Sequence, residues 1–389
     1  MKRTRFASMV VLPSAVEQLV AAIYPPAKQS AALRLAFDLN WLFWIGAFFQ
    51  IALLLCLWRA CRRWLPPAQS LPPLCRVLAA SACAGVSAVA VAIALLPLTW
   101  YGGFTLLHEY GLSRQTPASW LRDWAVAVVM SALIFAVLGA MFAAALHAWP
   151  KRWPLAAAFA AAPLIVFANA IYPVYIAPLF NAYKPLPASR LSASILRLAA
   201  AQGIGASVVY VYDMSRQTTG DNAYVAGIGK TERIAIGDNL LRHLRPDEVL
   251  YVVAHEIGHY KLRHLWWGTL YAWLDALGAI AVLALSAKLL RTRAGSLGDA
   301  AQLPLVGALL VSYAVLSMPL VNSLSRRMEA DADKFAAARA PAREAGVRAL
   351  ARLGNDGLTP LHPGPWTVWY FYTHPPLDAR IAAAAGAQR

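Results

Sequence analysis

Six stretches of apolar residues, 39–58, 77–98, 124–148, 155–175, 266–290 and 303–320, divide this chain. A helix needs about 20 residues to cross a ~30 Å hydrocarbon core, so each stretch is predicted to span a membrane. Trp and Tyr crowd their ends, as amphipathic rings do at a lipid–water boundary. Two runs differ in character: 184–265, between the fourth and fifth spans, and 325 to the C-terminus. They hold most of the charged and turn-forming residues and are expected to fold together outside the bilayer. The pattern divides the chain into an N-terminal tail or amphipathic segment (1–36), a four-span region (37–182), a soluble part (183–265), a two-span hairpin (266–323) and a C-terminal soluble part (324–389).

Within the first soluble run, Leu191, Ile195 and Leu198 fall at helical spacing and Gly203 is placed to end that helix. SVVYVYDMS (207–215) and RIAIGDNL (233–240) are rich in β-branched and aromatic residues and read as strands, with NAYVAGIGKT between them as a strand edge and turn. PDEVLYVVAHEIGHYKLRH (246–264) reads as one helix, with Pro246, Asp247 and Glu248 in its first turn and basic residues at its end. The opening MKRTR and the apolar residues after it resemble a secretion signal. Pro13 and Glu17 interrupt them, however, and a short amphipathic anchor helix is the better reading.

Composition sharpens the membrane assignment. The chain is 59% hydrophobic and 14% charged, against roughly 25% charged in soluble domains. A net charge of +16 invites a nucleic-acid reading, but the basic residues sit at the ends of apolar runs without stacking aromatics. No nucleic-acid partner is expected, and anionic membrane lipids are the fitting counter-charge. Fifteen Lys and Arg near membrane ends lie on the side of the soluble runs and nine on the other, which favours a cytoplasmic soluble domain. The four cysteines form no Cys-x-x-Cys pair and read as packing thiols.

The sharpest chemical feature is His255-Glu256-Ile257-Gly258-His259. Helical residues four apart share a face, so both imidazoles can reach one zinc ion, with Glu256 beside them to take a proton from metal-bound water. Chance would supply roughly 0.003 such motifs in a chain of this composition. A catalytic zinc needs a third ligand and an open position. His264, on a continued helix, would point about 180° away from His255 and reads as a helix-end or interface residue. Asp275 lies well inside a span, too far along the helix to ligate. Glu329 and Asp333, four apart in SRRMEADADKFA, are the better candidates: one can ligate while the other holds a histidine N–H.

Six blocks in order, HEYGLSRQTPASWLRD (108–123), YIAPLFNAYKPL (175–186), NAYVAGIGKTERIAIGDNLL (222–241), AHEIGHYKLRH (254–264), SRRMEADADKFA (325–336) and FYTHPPLDARI (371–381), resemble the integral-membrane zinc peptidases of the CAAX prenyl protease 1 type. The resemblance implies a mainly α, polytopic membrane protein of about six spans around a chamber, with a zincin-like metallopeptidase domain carrying a small β-sheet. It implies one Zn2+ per chain held by His255, His259 and Glu329, with Glu256 as base and Asp333 behind the ligands. Asn222, Ala223 and Tyr224 would lie on an edge strand that pairs with a substrate peptide. His374 and Arg380 match family positions facing the zinc, where donors can stabilise a tetrahedral oxyanion. A water-filled chamber would be lined by Asp275, Asn169 and Asn322. The family's eukaryotic members have seven spans, one more than this chain shows; the weak stretch 7–24 stands where a first span would be.

The expected function is therefore zinc-dependent endoproteolysis of apolar, membrane-associated or C-terminally prenylated-type peptides. An alanine- and arginine-rich chain hints at a bacterial inner membrane, where protein prenylation is generally lacking and apolar peptides fit better. The alternatives are a heat-shock-type membrane quality-control peptidase, a transporter or channel, and a zinc-retaining scaffold. The FYTHPPLDARI and HEYGLSRQT blocks speak for the prenyl-protease type over the first. A transporter should show repeated halves, which this chain lacks, and a scaffold would have no use for Glu256. Nothing in the residues fixes oligomeric state.

Overall fold

A computed structural model describes residues 12–66, 70–205, 208–226, 233–289, 297–339 and 343–386. A short helix α1 (Ser14–Ile23) precedes four long ones: α2 (Pro26–Trp64), α3 (Pro73–Trp100), α5 (Pro117–Ala148) and α6 (Trp153–Ile171). α3 continues through a π-turn at Tyr101–Thr105 into α4 (Leu106–Glu109). Proline stands in the first turn of α2, α3, α5 and α6, where its missing N–H costs nothing. Among the described residues six helices are long and apolar enough to cross a membrane, these four with α10 (His264–Leu289) and α11 (Leu303–Arg339). Their outer faces carry exposed Phe37, Phe48, Leu133, Phe159 and Leu316, side chains that suit lipid and not water. The expected sixth span, 303–320, is the first part of α11. The helix runs for 37 residues, through an internal Pro319, so one rigid rod leaves the bilayer and enters the soluble part.

The soluble part places a four-stranded sheet beside helices. Strands β1 (Tyr183–Pro185), β2 (Val209–Tyr212), β3 (Ala223–Ala226) and β4 (Arg233–Gly237) lie in the order β1-β2-β4-β3. β2 and β4 are parallel; β1 and β3 run antiparallel to their neighbours, and β3 is an edge strand. α7 (Arg190–Ala201) is closed by a reciprocal cap between Ser189 and Ser192 and followed by Gly203 at φ +81°, matching the sequence expectation. The predicted strand 233–240 stops at Gly237, and its last residues instead begin α8 (Asp238–His243). The predicted turn after β3 lies outside the described residues.

α9 (Pro246–Lys261), α12 (Arg343–Asp356), α13 (Pro365–Phe371) and α14 (Leu377–Ala385) complete the domain. Val249, Val253 and Ile257, at i, i+4 and i+8 of α9, are almost fully buried in one core with Ile234, Ile236, Leu350 and Ile381. Each such side chain contributes about 1.5–3 kcal/mol by leaving water. The buried Glu248 accepts from the backbone N–H of Arg245 at 2.8 Å and pairs with Arg348 at 3.0 Å, anchoring the start of α9 to α12. α1 was expected to act as an anchor. In the structure Val20 and Tyr24 join the soluble core, and the Tyr24 hydroxyl donates to Thr359 O at 3.0 Å.

Candidate active site

α9 buries one face in the core and turns His255, Glu256 and His259 away from it. The helix does not continue to residue 264 as the sequence suggested. It ends at Lys261, Arg263 adopts φ +58°, and His264 opens a new helix, α10. That break returns His264 to the cluster, with its Nδ1 3.0 Å from His259 Nδ1. An arginine in the left-handed region leaves no cue in the sequence, so a continued helix puts His264 on the far side, whereas the structure keeps it at a helix end but beside His259.

α11 crosses α9 at Gly258. A Cβ there would meet the Cβ of Phe335 at 3.2 Å and the backbone of Ala332 at 3.3 Å, so only glycine allows this approach without displacement. The close crossing delivers Glu329 to the histidines. His255 Nε2 and His259 Nε2 are 3.1 Å apart, and Glu329 Oε2 lies 3.1 Å from the first and 3.5 Å from the second. Three donors bound tetrahedrally at about 2.05 Å would be separated by about 3.3 Å, so the set fits a zinc-sized cation. Two imidazole nitrogens facing each other need either a proton or a cation between them, which adds to the fit.

A second layer orients these donors. Asp333 is 2% exposed, and its Oδ1 lies 2.9 Å from His255 Nδ1, at hydrogen-bond distance with a bent approach. Arg380, on α14, donates to both oxygens of Asp333 at 2.8 Å. Arg380 therefore reaches the histidine through Asp333 while also lining the cleft. His374, in the turn before α14, places Nε2 3.2 Å from Glu329 Oε2, and its Nδ1 is 2.9 Å from Thr373 Oγ1.

The electrostatics are those of a site built around positive charge. Burial opposes a charge on His255, but Asp333 and Glu329 outweigh it and raise the imidazole to about 9. Burial lifts the Glu256 carboxyl above the ordinary range, against the pull of His255 and His259.

A cleft of about 480 Å³ runs from this cluster to Asn222 and Ala223 at the start of β3, with Tyr251 and Arg380 in its wall. Gly237 N–H donates to Asn222 O at 2.8 Å, and Tyr224 pairs with Ala235. Antiparallel pairing alternates, so the backbone groups of Ala223 and Val225 turn to the open side. The Tyr224 hydroxyl donates to that of Tyr183 at 2.9 Å, which orients the strand's side-chain face. The loop before β3 is held by the 108–123 block: Thr219 N–H donates to Leu112 O at 3.0 Å, and Arg216 and Gln217 both reach Asp123.

Between α2, α3, α10 and α11 lies a second cavity of about 760 Å³, lined mainly by apolar residues such as Leu42, Phe43, Leu98 and Val315, with Asp275 and Asn322 at its wall. Asn169, expected there as well, instead donates to Thr269 Oγ1 at 3.2 Å and ties α6 to α10.

Residues 185–388 match the model of peptidase family M48. The chain belongs to this family. Residues 30–182 match a second model, described as the CAAX prenyl protease N-terminal region with five membrane helices; four candidate spans fall there in this chain. An uncharacterized metalloprotease of Bacillus subtilis, YhfN, is 31% identical, covering 94% of this chain and 87% of its own. A CAAX prenyl protease 1 homolog of Arabidopsis thaliana is 30% identical over 75% of this chain and 70% of its own. The crystal structure of S. mikatae Ste24p matches with a TM-score of 0.67 over 96% of this chain and 99% of that one, at 20% identity, which establishes a shared fold. This M48 protein is thus a metallopeptidase and a multi-pass integral membrane protein.

Proposed function

We propose that this M48 peptidase is a zinc endopeptidase that cleaves apolar or membrane-associated peptides, including C-terminally prenylated-type sequences. His255, His259 and Glu329 would hold the zinc, and the observation that carries the reading is their convergence at 3.1–3.5 Å. Zinc, when bound, supplies Lewis acidity and makes a neighbouring water acidic. Glu256, half-buried beside the ligands, takes the proton from the attacking water and returns it to the departing amine. The substrate lies extended along β3, its backbone paired with Ala223 and Val225. His374 supplies a donor for the developing oxyanion. Arg380 acts as a positioning residue: it locks Asp333, which sets the tautomer of His255.

Apolar substrates are supported by the 760 Å³ cavity. Its wall residue Asn322 and the ligand Glu329 are two turns apart on α11, roughly 10 Å along the axis. The Lys and Arg distribution supports a peptidase part facing the cytoplasm, and the alanine- and arginine-rich composition supports a bacterial inner membrane.

The test compares detergent-purified wild type with Glu256→Gln on casein and on a quenched apolar peptide, with and without a zinc chelator. Chelator-sensitive cleavage lost in the variant supports the reading. Equal rates in both proteins, or cleavage indifferent to the chelator, would refute it.

A further inference from the structure

Asp221, in the wall of the same cleft, belongs to a second cluster. Asp221 lies two residues before β3, His243 closes α8 and Asp356 closes α12. One ligating atom from each lies within 4.8 Å of the other two. His243 Nδ1 is 3.0 Å from Asp221 Oδ1 and 3.5 Å from Asp356 Oδ2. The Asp221 side chain is 0% exposed, its Oδ2 meets no N–H or O–H donor among the described residues, and the Asp356 carboxylate stands within hydrogen-bonding range of Asp221, so a cation or a shared proton must lie between them. A fully buried carboxylate oxygen left unpaired costs several kcal/mol unless a cation or proton meets it.

The surroundings hold the donors in place without neutralising them. Asn239 Nδ2 donates to Thr218 O at 2.7 Å and Gly220 O at 2.9 Å, fixing the loop that carries Asp221. Asn355 Nδ2 donates to Asp356 Oδ1 at 2.6 Å, leaving Oδ2 toward the cluster. Among the described residues His243 is the only basic side chain in ion-pair range of either carboxylate. Burial, with Asp356 adding repulsion against the pull of His243, raises the Asp221 carboxyl well above its ordinary value, the sign of a pocket short of positive charge.

We propose that Asp221, His243 and Asp356 form a second site for a divalent transition-metal cation, which ties α8 and α12 to the start of β3. One imidazole nitrogen with two carboxylates suits Zn2+ or Mn2+, whereas Ca2+ and Mg2+ seek six or more oxygen ligands or several retained waters. His243 and Asp356 are partly exposed, at 28% and 21%, so an ion can enter and keep water. The three donors come from chain positions far apart, so a cation here acts as a cross-link. Asp221 adjoins Asn222, and the cross-link therefore stiffens the strand that the preceding section assigns to substrate pairing. That bracing role rests on the proposed function; cation binding does not.

The experiment measures Zn2+ bound per chain after saturation and dialysis of the full-length protein in detergent. Wild type should retain two equivalents, and His255→Ala/His259→Ala and Asp356→Asn one each. Asp221→Asn, nearly isosteric, should also retain one. In isothermal titration of the double histidine variant, adding Asp356→Asn should weaken the remaining Zn2+ by more than about tenfold, since losses even outside the ligand shell cost 10–100-fold. One equivalent in wild type, carried equally by Asp356→Asn, would overturn the second site and leave the first intact. A single wild-type equivalent kept in full by the double histidine variant would instead overturn the first. For the brace, Asp356→Asn should raise KM for extended peptides several-fold with kcat nearly constant; loss of the equivalent with KM unmoved would refute it.

Discussion

The two His–carboxylate clusters in this molecule use similar side chains and are built in different ways. At His255, His259 and Glu329, two donors share a helix face and the third arrives on a rod packed at van der Waals contact. Behind them stand Asp333, Arg380 and His264, each within 3.0 Å of its neighbour. At Asp221, His243 and Asp356, each donor comes from a different loop or helix end, and among the described residues the side chain bonded behind them is Asn355. The first arrangement fixes donor directions before any ion arrives, as catalysis requires. The second leaves two of its three donors part-exposed and would gain its order from the ion itself.

That contrast is tested most strongly by removing the base. Glu256→Gln should lower cleavage about 10²–10⁴-fold while zinc content stays at the wild-type value, read by initial rates alongside metal analysis. A variant that lost both would show Glu256 to be part of the metal's support, and the two clusters would then differ less than their geometry suggests. Removing the second layer should act next. Asp333→Asn keeps the shape but removes the charge facing His255 and Arg380, and zinc affinity should fall about 10–100-fold. Affinity equal to wild type would mean that the bracing is incidental.

Proton competition separates the clusters in another way. Without metal His255 titrates at about 9, so at neutral pH it carries a proton that a cation must displace. Zinc affinity at the first centre should therefore rise about tenfold per pH unit until about pH 9 and flatten above it. At the second cluster the raised group is the Asp221 carboxyl, which loses its proton earlier, so that affinity should flatten at lower pH. Competition titrations against a chromophoric chelator across pH would show two breaks or one.

The same contrast explains what the sequence disclosed. HEIGH was legible because four-residue spacing on a helix is local, and the six spans because lipid imposes length and apolarity together. The edge position of β3 followed from the two glycines after it, which mark a strand edge and turn, and from the family resemblance. The return of His264 was not legible, because it depends on one positive φ at Arg263. Nor was the packing of α1, whose Val20 and Tyr24 look the same in sequence whether they meet lipid or protein. The second cluster joins positions 221, 243 and 356, brought together by tertiary packing alone, and no spacing rule reaches that far.

Gly258 offers the smallest and most specific probe of how the first centre is held. The residue lies inside HEIGH, between the base and the second histidine, yet it touches no donor. Its role in the structure is steric: it lets α11 approach until Ala332 and Phe335 meet the α9 backbone. Gly258→Ala raises helix propensity by roughly 1 kcal/mol, so local helix energetics favour the substitution. The new methyl, however, forces α11 back by a few tenths of an ångström, and Glu329 moves with it, one turn away from Ala332. Zinc affinity should fall several-fold while thermal stability of the metal-free protein changes little, measured by titration and by thermal melts with chelator present. An unchanged affinity would mean that the long α11 rod bends to absorb the methyl, and the donors would then owe their positions to Asp333 and Arg380 rather than to the helix crossing.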